Sequence, residues 1–177
     1  MATNQAFAIW VTGLPASGKS TLVSAVQAQL ESLGLTVAVL ESDVLRKVFS
    51  PDAKYLAEDR DLFYRQLAYV GVLLTQHGVP VIFDATANLR RFREEARKQI
   101  PRFLEVYVNT SLETCLARDP KGIYRKAREG TAGAVPGLGA IYESPLAPDV
   151  TVNCDQELVD EAARQVIDTL RQKRFIP

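Results

Sequence analysis

An apolar run, AFAIWVT (Ala6 to Thr12), leads without a break into GLPASGKST (Gly13 to Thr21). The second stretch fits GxxxxGK[ST] at every fixed position: Gly13, Gly18, Lys19 and Ser20. The spacing has a physical use when a buried strand precedes it and a helix follows. Glycines let the backbone from Gly13 through Leu14, Pro15, Ala16, Ser17 and Gly18 curl, so that peptide N–H groups point into one anion-binding concavity. A helix opening near Lys19 adds its positive end. Lys19 supplies a mobile cation for the outer phosphates, Ser20 offers a hydroxyl to Mg²⁺, and Thr21 closes the stretch expected to bind the nucleotide's phosphates. The stretch therefore implies a nucleotide triphosphate site, and the alternative is a chance glycine turn.

The rest of the chain alternates strand-like and helix-like segments. A helical pattern over Lys19 to Leu33 closes at Gly34. TVAVLE reads as a second strand, with Ser42 as cap of a short helix DVLRKVF. Leu56 to Gln76 is a long helical pattern, VPVIFDA a third strand and LRRFREEARKQ a charged helix. FLEVYVN is a fourth strand, SLETCLARD its helix with Ser111 as cap, and VTVNC a fifth strand. Gln156 to Lys173 predicts a closing helix with Leu158, Ala162, Val166 and Leu170 on its apolar face. Continuous apolar strands alternating with helices predict a three-layer α/β/α domain around a parallel five-stranded sheet. Residues 118 to 148 interrupt the pattern with glycine, proline and charge, and little core-forming content after Tyr124. They read as a mobile lid within a single domain of residues 1–177, because long loops in compact α/β domains are usually functional.

Ligands of such sheets bind beyond the carboxyl ends of the strands. ESDVLR follows the second strand and so brings Glu41, Asp43 and Arg46 towards the glycine turn. A carboxylate at Asp43 can orient or deprotonate an acceptor hydroxyl, and Arg46 can hold an anionic group; an ordinary helix-start carboxylate is the plainer alternative for Asp43. Asp84 ends VIFDA after a run of apolar residues, where a carboxylate reaches Mg²⁺ directly or through water; a capping aspartate is the alternative. Arg118 opens the lid and, with Lys121, can close over the phosphates. Arg91, Arg97 and Arg128 read as a solvated face. The chain carries no NKxD segment of the kind that reads guanine.

Composition narrows the partners. Lysines and arginines balance aspartates and glutamates for zero net charge, so no global basic field points to nucleic acid. Cys115 and Cys154 lack CxxC spacing and read as free thiols of a reducing compartment. No apolar run reaches membrane-spanning length, and the N-terminus lacks a basic n-region. A cytoplasmic location is expected.

Together these pieces resemble the adenylylsulfate (APS) kinase family over nearly the whole chain. IWVTGLPASGKST resembles the family's first strand and P-loop, and LESDVLR its LDGDxxR. AEDR follows at the family's interval, giving Arg60. FLEVYVNTSLETCLARDPKGIYRKAREG is similar to its fourth strand, helix and lid; RDPKGIYRKAR is the most specific piece, and YESP resembles YExP. The resemblance implies a P-loop kinase fold, usually a homodimer, and ATP- and Mg²⁺-dependent phosphorylation of the APS 3′-hydroxyl to give PAPS. It implies Asp43 beside the acceptor hydroxyl, Arg46 and Arg60 on the substrate, Tyr55 stacked on adenine, and Arg118 and Lys121 in the lid.

Departures from the family pattern cluster on the acceptor side, where Phe63 and Val135, by their positions, are also expected among the substrate-binding residues. Glu41 and Ser42 replace an aspartate and a glycine, and Phe63 an asparagine. Ala87, Asn88 and Leu89 replace serine, proline and tyrosine, which removes the phosphorylatable hydroxyl. GAVPGLG (133–139) replaces KGFTGID, so that Val135 stands for a second stacking phenylalanine and Gly139 for an aspartate. DATANLRRFR is also similar to other small-metabolite P-loop kinases. Two further readings follow: a kinase of the same fold with a different small anionic or nucleotide-like acceptor, and a nucleotide-binding regulator without catalysis.

Overall fold

The structure of the protein is a computed structural model, which describes residues 6–51, 56–131, 133–155 and 158–177. Strand β1 (Ala8–Thr12) is fully buried and lies at the centre of a five-stranded parallel sheet. Its neighbours are β3 (Val81–Asp84) and β4 (Phe103–Val108). Strands β2 (Ala38–Glu41) and β7 (Val150–Val152) complete the order β2-β3-β1-β4-β7. The chain thus leaves β1 in opposite directions on its two sides, which opens a crevice at the carboxyl end of β1.

Alternation along β1 divides the core. Phe7, Ile9 and Val11 face helices α1 (Lys19–Ser32) and α7 (Val159–Gln172). Ala8 and Trp10 face α3 (Ala57–Gln76) and α4 (Arg90–Gln99). The Trp10 ring stacks on Phe83 at 4.3 Å between centroids, and its indole N–H donates to the Ala85 carbonyl at 3.1 Å. Parallel strands covered on both faces need apolar residues at successive positions, as these strands have.

Gly71 shows how tightly α3 meets the sheet. A Cβ there would lie 2.0 Å from Cζ of Phe83, whose ring is already clamped by Trp10. Gly71→Ala should therefore destabilise by about 1–3 kcal/mol through overpacking, although alanine gains about 1 kcal/mol in helix propensity. Thermal unfolding should show a lowered midpoint; an unchanged or raised one would mean that the interface yields.

Three expectations change. The short helix α2 (Ser42–Phe49) starts at Ser42 itself, with Glu41 in the capping position and no side-chain cap bond. Leu158 is 71% exposed, because it stands at the cap of α7 before the periodic face begins; Ala162, Val166 and Leu170 are buried as expected. The lid has a core of its own. It follows α5 (Leu112–Arg118) and carries α6 (Ile123–Arg128) and a pair of two-residue strands, β5 (Val135–Pro136) and β6 (Gly139–Ala140). Tyr124, Val135 and Cys115 are buried together, with Leu138 of the lid and Leu14 and Ala16 of the glycine loop packed against them. Ser111 caps α5 as expected, accepting from the Thr114 amide at 3.1 Å.

Candidate active site

The loop after β1 takes its shape from two residues with positive φ, Ala16 (62°) and Gly18 (102°). Such alternation turns neighbouring N–H groups to one side. A Cβ at Gly13 would come within 2.7 Å of the Val108 carbonyl, so only glycine lets the loop pass the end of β4. The Thr110 hydroxyl fixes the far side by donating to the Ser17 carbonyl at 2.8 Å. Lys19, on the first turn of α1, folds back over the loop. Its Nζ donates to the carbonyls of Leu14 at 2.8 Å and Gly13 at 3.2 Å. Burial pushes the Lys19 pKa below its ordinary 10.5, with Asp84 and Asp43 opposing.

The sheet register sets the next groups. Asp84 pairs with Val11 on one side and Glu41 on the other, so the ends of β1, β2 and β3 are level. The Ser20 hydroxyl donates to Asp84 Oδ2 at 2.6 Å. In the first turn of α2, Asp43 accepts from Nζ of the lid's Lys121 at 2.6 Å. These groups line one cavity of about 500 Å³, bounded by Pro15 to Thr21, Glu41 to Asp43, Asp84, Thr86, and Arg118 to Lys121. Gly13 and Leu14 are not among its lining residues: Gly13 is buried, and the Leu14 side chain packs into the lid core.

The lid is fastened at several points. Tyr124 donates its hydroxyl to the Pro15 carbonyl at 3.1 Å, and Arg118 pairs with Asp155 at 3.3 Å. At the other end, Tyr142 meets the Thr12 hydroxyl at 3.1 Å, and Thr12 in turn donates to Thr86 O at 2.6 Å. Arg93, 2% exposed, pairs with Glu105 at 2.7 Å and donates to the carbonyls of Ala87 and Glu143. The lid's return thus rests on the segment after β3.

Lys19, Ser20, Asp43, Asp84, Arg118 and Lys121 are brought together. Arg46 and Arg60 stand just outside the lining: both lie within electrostatic reach of the Tyr64 hydroxyl, as does Asp43. Arg60 also donates to the Ala134 carbonyl of the lid. Phe63 and Val135 do not line the cavity. Phe63 is wholly buried between α2 and the sheet, and Val135 belongs to the lid core. Tyr55 lies outside the described residues. Arg97, expected on a solvated face, bridges Glu105 at 3.1 Å and Asp149 at 3.5 Å. Sequence reasoning missed Thr86, two residues past Asp84, and Cys154, which the Gly18 approach brings to the cavity wall. Cys154 and the buried Cys115 are both unbridged, as expected.

A phosphate-cradling loop on the central strand, a serine–aspartate pair beside it and a basic lid opposite an acidic helix start define a P-loop kinase. The chain belongs to the adenylylsulphate kinase family, whose model matches residues 5–153. It is 38% identical over 168 residues to the adenylyl-sulfate kinase of Microcystis aeruginosa, covering 95% of this chain and 93% of that one. A similar relative from Synechococcus sp. (strain JA-3-3Ab) is 39% identical over 168 residues, covering 95% and 96%. The structure of the Mycobacterium tuberculosis APS kinase in complex with AMPPNP and APS superposes with a TM-score of 0.88 at 35% identity, over 94% of this chain and 98% of that one.

Among the described residues no helix is long and apolar enough to cross a membrane, and no three His, Cys, Asp or Glu side chains cluster as a metal cage.

Proposed function

We propose that the chain transfers the γ-phosphoryl group of ATP to the 3′-hydroxyl of APS, giving PAPS. The observation that carries this reading is that the phosphate loop and Asp43 face one cavity, with the lid's Lys121 lining it too and bonded to Asp43. In-line phosphoryl transfer needs little covalent chemistry from the protein, so positioning and charge do most of it. Lys19 and the loop amides hold the donor phosphates. Asp43 aligns the acceptor hydroxyl and takes its proton. Arg46 and Arg60 hold the acceptor's anionic group. Arg118 and Lys121 close the lid and exclude water. With Ala87 in place of serine, transfer runs directly from ATP to acceptor.

Mg²⁺ fits the donor set: one hydroxyl and one carboxylate, 2.6 Å apart beside the loop, with phosphates and water left to complete a hard-oxygen sphere. Ser20 and Asp84 would hold it, and when bound it neutralises charge on the phosphates. Asp84→Asn should raise the Mg²⁺ concentration needed for half-maximal activity by about 10–100-fold. A Mg²⁺ titration of PAPS formation checks this, and an unchanged titration would remove Asp84 from the site.

Residues 1–177 are read as one kinase domain with a lid at about 118–148, working as a homodimer in the cytoplasm, where two unbridged thiols persist. The decisive assay incubates the protein with ATP, Mg²⁺ and micromolar APS and measures PAPS. If ATP binds but no APS is turned over, the acceptor is another small anion, and a metabolite screen for ATP consumption identifies it.

A further inference from the structure

Phe63 replaces the family's asparagine, and its ring lies under Arg46. The guanidinium carbon is 3.8 Å from the Phe63 ring centroid and 5.8 Å from that of Tyr64. The ring is held by neighbours on both helices. Phe49 of α2 lies at 6.4 Å, tilted by 49°, and Tyr64 meets it edge-on at 5.3 Å. Phe63 is wholly buried, so its orientation is set by packing and not by solvent. Arg46 and Phe49 both belong to α2, the helix whose first turn carries Asp43.

We propose that Phe63 is a positioning residue for the acceptor: its ring holds the Arg46 guanidinium flat, so that the arginine meets the substrate's anionic group already oriented. All N–H donors of a guanidinium lie in its plane, while an aromatic ring occupies its face. Stacking therefore restricts the side chain without consuming the donors that an anion needs. A half-buried site strengthens the attraction, because less water competes for the cation. An arginine ordered beforehand loses less rotamer freedom when substrate arrives, and the gain appears as affinity for the acceptor. An asparagine at this position would engage its neighbours by hydrogen bonds instead; the phenylalanine does it through its π face. The proposal rests on the reading of Arg46 as a ligand of the acceptor's anion.

The test uses the full chain with Phe63 replaced by mono-, di- and trifluorinated phenylalanine. Fluorination drains the ring's negative face in steps while its shape changes little. The expected result is a stepwise rise in KM for APS, reaching about fivefold with the trifluoro ring, with kcat, KM for ATP and the thermal midpoint nearly constant. A purely structural role would leave KM flat across the series and show itself only in a truncating variant such as Phe63→Leu, as lowered thermal stability. A flat series overturns the proposal. Arg46→Ala separates this from failure of the premise: if it raises KM for APS while the fluorinated series is flat, Arg46 binds acceptor and only the role of Phe63 falls. If Arg46→Ala leaves KM unchanged, both fall. The stack has a substrate-free readout as well. The Arg46 side-chain resonances should show a ring-current upfield shift that Phe63→Leu abolishes, and an unshifted wild-type signal overturns the proposal whatever the acceptor proves to be.

Discussion

Replacing Lys19 by alanine should lower kcat by about 10³-fold, the upper end of what one preorganised donor to a developing charge contributes. The side chain is buried against its own loop, and its Nζ is held by two carbonyls, Gly13 and Leu14. On the proposed reading it is thus already in place where phosphate oxygens would arrive, and should reorganise little during transfer. The same burial makes its effects on stability and activity run in opposite directions. The folded-state pKa of Lys19 is depressed below 10.5. Between that lowered value and 10.5 the unfolded chain binds more protons at this site than the folded chain, so stability from this group rises with pH. Activity should fall over the same window, because the lysine would lose the charge proposed to hold the phosphates. The alkaline limb of kcat/KM for ATP, which reports the free enzyme, should therefore begin below 10.5 and be absent in Lys19→Ala. The variant should keep or raise its thermal midpoint, since it removes a desolvated cation. A variant that unfolds instead would mean that the lysine's main work is to brace the loop. One with near-normal kcat would remove it from the transition state.

The donor side was legible in the sequence because its chemistry is local. Gly13, Gly18, Lys19 and Ser20 sit within one turn and one helix start, and their spacing alone dictates their geometry. Asp84 needed one further step, from a strand's end to the level register with Val11 and Glu41. The acceptor side depends on contacts distant in sequence. Phe63 stands where the family has a polar residue, and correspondence of position points it at the substrate. The helical period points the other way: Phe63, Tyr64, Leu67 and Ala68 form one apolar face of α3, and that face is buried. Packing decided the outcome, and the i, i+4 pattern was the signal available for it. Val135 gave no such signal, because its glycine-rich surroundings have no period; its burial comes from Tyr124 and Cys115, fixed elsewhere. Leu158 erred in the opposite sense, since a helix's periodicity extends one residue too far when the cap itself is apolar. Arg93 was hidden for another reason. Nothing in a charged helix such as RRFREEARKQ marks which arginine turns inward to meet Glu105.

Asp43→Asn should lower kcat by about 10²-fold, with KM for ATP little changed. The size follows from the nature of the transfer. Positioned acid–base groups contribute about 10²–10⁴-fold, and a loose phosphoryl transition state places modest demand on the base, so the lower end applies. Asparagine keeps the shape and an accepting oxygen but removes the charge that draws the proton from the acceptor hydroxyl. It also removes the partner of Lys121, whose pKa is raised first by its hydrogen bond to Asp43. That raised value means the pair stabilises the fold below 10.5 and the contribution is lost as pH rises through the folded-state pKa of Lys121. Both side chains are 61% exposed, so solvent screening keeps the contribution within about 1 kcal/mol, or about 2–4 °C of thermal midpoint for a chain of this length. Comparison with Lys121→Ala separates the two roles of the carboxylate. Breaking the pair from either side costs the same small stability, so both variants should unfold at nearly the same temperature. Catalysis should not be symmetric: loss of the lysine loosens the lid and reduces kcat less than loss of the carboxylate that faces the hydroxyl. Equal losses of kcat would make Asp43 a lid latch, with the acceptor's proton taken by some other group.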